Sequence, residues 1–130
     1  MAISGSCLCG ATKFEIDVAP QSVTACNCSF CTKRGGLWAY VKPDQFRLLT
    51  PIENAAQWSR VELNHHYFCP TCGCSTFGDT PDWSAFLQDA EAGQDQFDPT
   101  RRHIAINVRV LDDFDFENLP VEHVDGRSGW

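Results

Sequence analysis

No stretch of the sequence approaches the roughly 20 consecutive apolar residues of a bilayer-spanning helix, so no transmembrane helix is expected. The opening Met1-Ala2-Ile3-Ser4-Gly5-Ser6 lacks a basic start, an apolar run and a cleavage site, and it does not read as a secretory signal. The expected location is therefore cytoplasmic. Positive charge is also scarce, with 10 Lys and Arg against 17 Asp and Glu, a net charge of -7 and a pI near 4.8. That balance argues against general binding to nucleic acid or anionic membranes, both of which call for a basic face. Repeats, low-complexity tracts and linkers are missing as well. At 130 residues one domain spanning 1–130 is expected, with a core that buries roughly two-thirds of the surface of the unfolded chain.

What the chain has in quantity is cysteine, eight in all. In a reducing compartment this favours metal binding or catalysis over a disulfide framework. Three of the eight fall within six residues, in Cys26-Asn27-Cys28-Ser29-Phe30-Cys31. Three thiolates at this spacing can face one metal ion and leave its fourth position open. That is the arrangement of catalytic zinc, whereas closed four-ligand sites are structural.

A second set supplies such a closed site. Cys7 and Cys9 lie two apart between Gly5 and Gly10 and share a face of an extended segment. Cys69-Pro70-Thr71-Cys72-Gly73 is a local turn carrying two more thiols, so one ion would tie the N-terminus to the middle of the chain. Iron also suits four thiolates, but no usual iron–sulfur spacing is present and zinc is the expectation. Cys74 is left over. It either closes the three-cysteine site, crowds the four-cysteine site or sits as a small buried hydrophobe. His65, His66, His103 and His123 are expected at the surface or beside the ligands, with His65 and His66 on opposite faces of a strand.

Periodicity points to a mainly β fold with little helix, built from short antiparallel strands. Ala11 to Val18 alternates, placing Thr12, Phe14, Ile16 and Val18 on one face. Val23 to Ala25 is a short strand that delivers the three-cysteine loop. Leu37 to Val41 and Phe46 to Leu49 look like two paired strands around Pro43-Asp44, and Ala55–Leu63 and Asn64–Phe68 like another pair. Cys74 to Phe77 continues as a strand after the cysteine turn. Gly78 to Arg102 reads as a long acidic excursion with a short helix near Ser84–Ala92, a candidate lid. His103 to Leu111 alternates with Ile104, Ile106, Val108 and Val110 on one face, and Val121 to Val124 is a last short strand.

Three cysteine motifs in this order, together with Lys33-Arg34-Gly35-Gly36 and Val110-Leu111-Asp112-Asp113, resemble the glutathione-dependent formaldehyde-activating enzyme family, which includes the centromere protein V type domain. The similarity runs from about Ser4 to Asp113 and on to Asp125-Gly126-Arg127-Ser128. It implies a complex β fold of the Mss4-like type with two zinc ions. Cys7, Cys9, Cys69 and Cys72 would hold the structural ion, and Cys26, Cys28 and Cys31 the catalytic one. The implied reaction joins glutathione, or a related thiol, to formaldehyde or another small aldehyde, giving an S-hydroxymethyl adduct, in the manner of a carbon–sulfur lyase. Cys74 departs from the family motif.

Three thiolates around Zn²⁺ leave a net charge near -1 and a poor Lewis acid, so that ion is expected to activate the substrate thiol rather than to polarise the aldehyde oxygen. Glutathione is anionic, and Lys33 and Arg34, adjacent to Cys31, are the candidates for its carboxylates. A zinc-binding scaffold module without turnover is the alternative reading.

Overall fold

The computed structural model of the protein describes residues 2–59, 63–81 and 101–129. Its fold is mainly β. Among the described residues are ten strands and two short helices.

Three strands form a small antiparallel sheet: β1 (Ile3–Ser6), β2 (Lys13–Ile16) and β5 (Phe46–Leu48), in the order β1-β2-β5. The other seven are β3 (Val23–Cys26), β4 (Trp38–Val41), β6 (Ala56–Trp58), β7 (His65–Phe68), β8 (Ser75–Pro81), β9 (Arg102–Asn107) and β10 (Val121–Val124). They form one sheet in the order β10-β3-β4-β9-β8-β7-β6. Every pairing is antiparallel except that of β10 with β3, which is parallel. The helices are α1 (Ser29–Arg34) and α2 (Gly126–Gly129).

The core lies between the two sheets, and the expected alternation selects it. Thr12, Phe14 and Ile16 are fully buried, while Lys13 and Asp17 face out; Val18, expected on the buried face, lies past the end of β2 and is exposed. Phe14 and Phe46 from the small sheet meet Phe77 of β8, with ring centroids 6.1 and 4.8 Å away, and Tyr67 stacks on Phe77 at 4.6 Å. Val23, Ala39, Val41, Ile104 and Ile106 complete this apolar layer. On the outside of the small sheet Arg47 bonds both Glu15 and Asp17 at 2.7 Å, pinning β5 to β2.

Several expectations need correction. The stretches Leu37–Val41 and Phe46–Leu49 do not pair: β4 lies between β3 and β9, whereas β5 joins β2 in the other sheet. Pro43–Gln45 forms a 3-10 turn, not the two-residue turn with positive φ that reverses a hairpin. It redirects the chain so that Phe46 reaches Phe14.

The strand expected over His103–Leu111 stops at Asn107, because Val108–Val110 turns into a 3-10 segment capped by the Asn107 side chain. That side chain also accepts from Leu37 N–H and donates to Ser75 O. Gly78–Pro81 belongs to β8 and Arg102 to β9, so the excursion is shorter than expected. The helix near Ser84–Ala92 and the lid lie outside the described residues. Ala56–Trp58 and His65–Phe68 do pair, as do β8 and β9 on either side of the excursion.

Candidate metal centre and substrate cleft

The first cluster sits where the small sheet meets the large one. Cys7 and Cys9 follow β1, and Cys69 and Cys72 occupy the turn from β7 to β8. Both turns are closed by local bonds: Gly10 N–H to Cys7 O at 3.1 Å, and Gly73 N–H to Cys69 O at 2.8 Å. Gly10 and Gly73 both take positive φ, 82° and 85°, which a residue with a Cβ adopts only at a cost.

All four sulfurs lie within 4.8 Å of one another. Cys7 and Cys9 are 3.7 Å apart and Cys9 and Cys69 3.6 Å. Four sulfurs about 2.3 Å from a tetrahedral zinc stand about 3.8 Å apart, so this cage fits the ion. A disulfide needs about 2.05 Å, and all eight cysteines are free.

The protonation pattern agrees. The N–H groups of Cys74 and Cys9 point at Cys72 and hold its thiol at about 6, and those of Cys72 and Thr71 hold Cys69 below the ordinary range. At Cys9 the Ala11 N–H pulls down, but desolvation and the neighbouring thiols outweigh it and push it up to about 11. The cluster thus shares protons that a cation would displace.

Cys74 belongs beside this cluster. Its thiol interacts with Cys72 and with the Leu8 backbone, and it joins neither metal-capable group. It does not close the three-cysteine site, and at intermediate exposure it is not a buried apolar filler either.

The second cluster lies on the opposite face of the large sheet. Cys26 ends β3, Cys28 is the N-cap of α1 and Cys31 lies within it. The expected loop is half helix: Cys31 N–H donates to Cys28 Sγ at 3.4 Å and Gly35 N–H closes the far end on Cys31 O. Cys, Phe and Thr are weak helix formers, so six residues held by two caps leave little sequence signal.

The three sulfurs lie within 4.8 Å of one another, and among the described residues no fourth His, Cys, Asp or Glu joins them. Three sulfurs without a fourth such ligand among the described residues suit an ion with one open position. Burial works against ionisation of Cys28, but the Cys31 and Phe30 N–H groups and the flanking thiols outweigh it and lower its pKa. Cys31 is raised by burial and by Cys28 and Cys26, against one bond from Trp38.

Trp38 is one of several site residues that sequence reasoning missed. It stands with Tyr40 on the outer face of β4, opposite the core residues Ala39 and Val41. Its indole N–H reaches Cys31. Gly36 lets it do so, since a Cβ there would lie 2.2 Å from the Trp38 ring. The Tyr40 ring is 47% exposed, but its hydroxyl is desolvated and feels the charges of Cys31, Cys26 and Cys28, which push it up to about 12 against a bond with Thr24. The legible signal was alternation in Leu37–Val41, which puts two aromatics with polar tips on one face.

Beyond Cys31, α1 reaches β6 and β7. Phe30 stacks on Trp58 at 5.6 Å and meets the tilted ring of His66 at 4.0 Å. Ser29, Phe30, Lys33, Arg34 and Trp58 line an open cleft of about 330 Å³. The structure thus brings both expected cations, Lys33 and Arg34, to one cleft next to the three thiols.

The Arg34 guanidinium lies over Phe68, Phe30 and Trp58 at 4.9, 5.3 and 5.9 Å from their centroids. No carboxylate pairs with it among the described residues. Rings hold the guanidinium in place while its N–H groups remain available to an anion.

His66 is pushed down to about 4 by burial, then by the charges of Arg34 and His65. In the unfolded chain it protonates near 6.5. Between these values the unfolded state binds the extra proton, so this contribution is complete above pH 6.5 and is lost as pH falls toward 4. Replacing His66 by Phe is expected to flatten that slope by about 1 kcal/mol at pH 5, allowing for the ring's solvent exposure. Urea unfolding of both proteins at pH 5 and 7.5 checks it.

Fold and sites define a mainly β protein with one four-thiol and one three-thiol cluster, each able to hold a metal ion. Its sequence matches the glutathione-dependent formaldehyde-activating enzyme family over residues 2–105, and the chain belongs to that family. A crystal structure of a Rhodobacter sphaeroides protein shares the fold, with a TM-score of 0.65 and 22% identity over 91% of this chain and 98% of the other. No curated protein matches the chain. No helix of the described residues is long and apolar enough to cross a membrane.

Proposed function

We propose that this protein is a zinc-dependent enzyme of the carbon–sulfur lyase type, acting as one domain in the cytoplasm, that joins glutathione or a related thiol to formaldehyde or another small aldehyde. The observation that carries this reading is the three-sulfur cluster with no fourth ligand among the described residues, set beside a cleft lined by two cations. Cys7, Cys9, Cys69 and Cys72 would hold a structural zinc and Cys26, Cys28 and Cys31 a catalytic one. Bound at the second cluster, zinc supplies activation of the incoming thiol.

In the reaction the substrate sulfur forms a bond to the aldehyde carbon, the carbonyl π bond opens and the thiol proton ends on the oxygen. The chain's own residues bind and orient. Arg34, fixed by three rings, offers paired donors to a carboxylate, and Lys33 adds a mobile charge at the rim. Holding the peptide by its carboxylates places its thiol toward Cys31, one helical turn away. Trp38 bonds Cys31 and so fixes the ligand that shares α1 with Lys33 and Arg34.

Replacing Lys33 and Arg34 by alanine should weaken glutathione binding about tenfold or more, on the order of 1.4 kcal/mol or above, with zinc per chain unchanged. Calorimetric titration of glutathione into the zinc-loaded proteins measures this. Equal affinity in both would reject the assignment, and a wild type that binds two zinc ions but no glutathione would favour a scaffold module.

A further inference from the structure

The four-thiol cluster takes its ligands from two turns that face each other, so each braces the other. The three-thiol cluster has no such partner. Its sulfurs come from the end of a strand, a turn and a six-residue helix, and their mutual position depends on how α1 leaves β3. That angle is set at Asn27, the residue between Cys26 and Cys28.

Every polar group of the Asn27 side chain is held from the C-terminal segment. The Asn27 amide donates to Asp125 Oδ1 at 3.0 Å, and its carbonyl accepts from Arg127 N–H at 2.9 Å. Its backbone N–H donates to Val124 O at 3.1 Å. Asp125 is fixed in turn by Ser128 N–H at 3.2 Å. β10 lies parallel to β3 with Val124 opposite Cys26, so strand and side chain approach the cluster together. Asn27 and Asp125 are both exposed, so these bonds do not serve the core. The family match ends at residue 105, short of the Asp125-Gly126-Arg127-Ser128 stretch to which the resemblance was expected to run.

We infer that Asn27 and Asp125 form a clamp that positions Cys26 and Cys28 for the metal, so that occupancy of the three-thiol site depends on the C-terminal segment 121–128. Both are positioning residues. This inference rests on the reading that Cys26, Cys28 and Cys31 hold zinc. The Asn27 amide, with Ser128, keeps the Asp125 carboxyl below the usual range, in keeping with an ionised acceptor. Partners that orient metal ligands from outside the coordination sphere are worth about 10- to 100-fold in affinity.

The test uses the full-length zinc protein, with zinc withdrawn by a chromophoric chelator, and a parallel cobalt-substituted sample read by its thiolate charge-transfer and d–d bands. Wild type, Asp125→Ala and Asp125→Asn are compared, and each again in a Cys31→Ser background that leaves only the four-thiol site. Asp125→Ala should release one zinc about tenfold more readily and change the cobalt bands, while leaving the zinc in the Cys31→Ser background untouched. Asp125→Asn keeps an oxygen for the Asn27 amide and should restore most of the affinity. Two zinc ions in the wild type with equal release from wild type and Asp125→Ala would overturn the clamp alone, as would equal weakening of both sites. One zinc in the wild type, unaffected by Cys31→Ser, would overturn the catalytic-zinc reading and the clamp with it.

Discussion

Replacing Cys69 by alanine is expected to remove one zinc ion per chain and most of the protein's stability. Cys69 is fully buried and its sulfur stands 3.6 Å from that of Cys9. The ion would bridge the end of β1 to the β7–β8 turn, fastening the small sheet to the large one at the edge of their shared core. Structural zinc on thiolates contributes on the order of 10–16 kcal/mol of apparent binding free energy. A domain's whole net stability is about 5–15 kcal/mol, so only loss of another of the four ligands to the same ion should cost as much. Collapse to a random coil is not expected, because the Phe14, Phe46 and Phe77 cluster is still available to drive the sheets together. The unfolding midpoint should fall by about 15 °C or more. Zinc analysis and thermal unfolding by circular dichroism check both parts, and two zinc ions with an unmoved midpoint would refute the assignment.

Cys31→Ser should have the opposite profile, with turnover lost and fold kept. A serine hydroxyl stays protonated at neutral pH and cannot replace a thiolate ligand. The second zinc should therefore be lost and the first retained. Formation of the thiol–aldehyde adduct should fall about 10³-fold or more, on the order of 4 kcal/mol of barrier. Stability should drop little, because this cluster lies on the outer face of the large sheet, away from the Phe14–Phe77 core. Zinc content, adduct formation followed by NMR and the unfolding midpoint together separate this outcome from general misfolding. A variant that still binds two zinc ions and turns over normally would refute the role of Cys31.

The two thiol groups were legible in the sequence because metal ligation needs specific atoms at short spacing, and both spacings survive folding intact. The strand of Phe14 and Ile16 was legible for a related reason: alternation places one set of side chains on one face wherever the strand lies. The aromatic wall of the cleft was not. Phe30, Trp58, His66 and Phe68 come from α1, β6 and β7, and nothing local to any of them says that they meet over Arg34. The same holds for Cys74, whose three possible fates differed only in where one strand end would point.

By itself, then, the sequence determined which atoms can bind metal, which faces are apolar and which reaction class the motifs resemble. These are properties of residue type and short-range periodicity. Only the tertiary structure decided that β4 and β5 belong to different sheets, that β10 runs parallel to β3, and that Asn27 is held from the far end of the chain. Those outcomes depend on contacts between segments up to 100 residues apart. Such contacts form because burial of the core brings the segments together, and no short stretch of sequence encodes them.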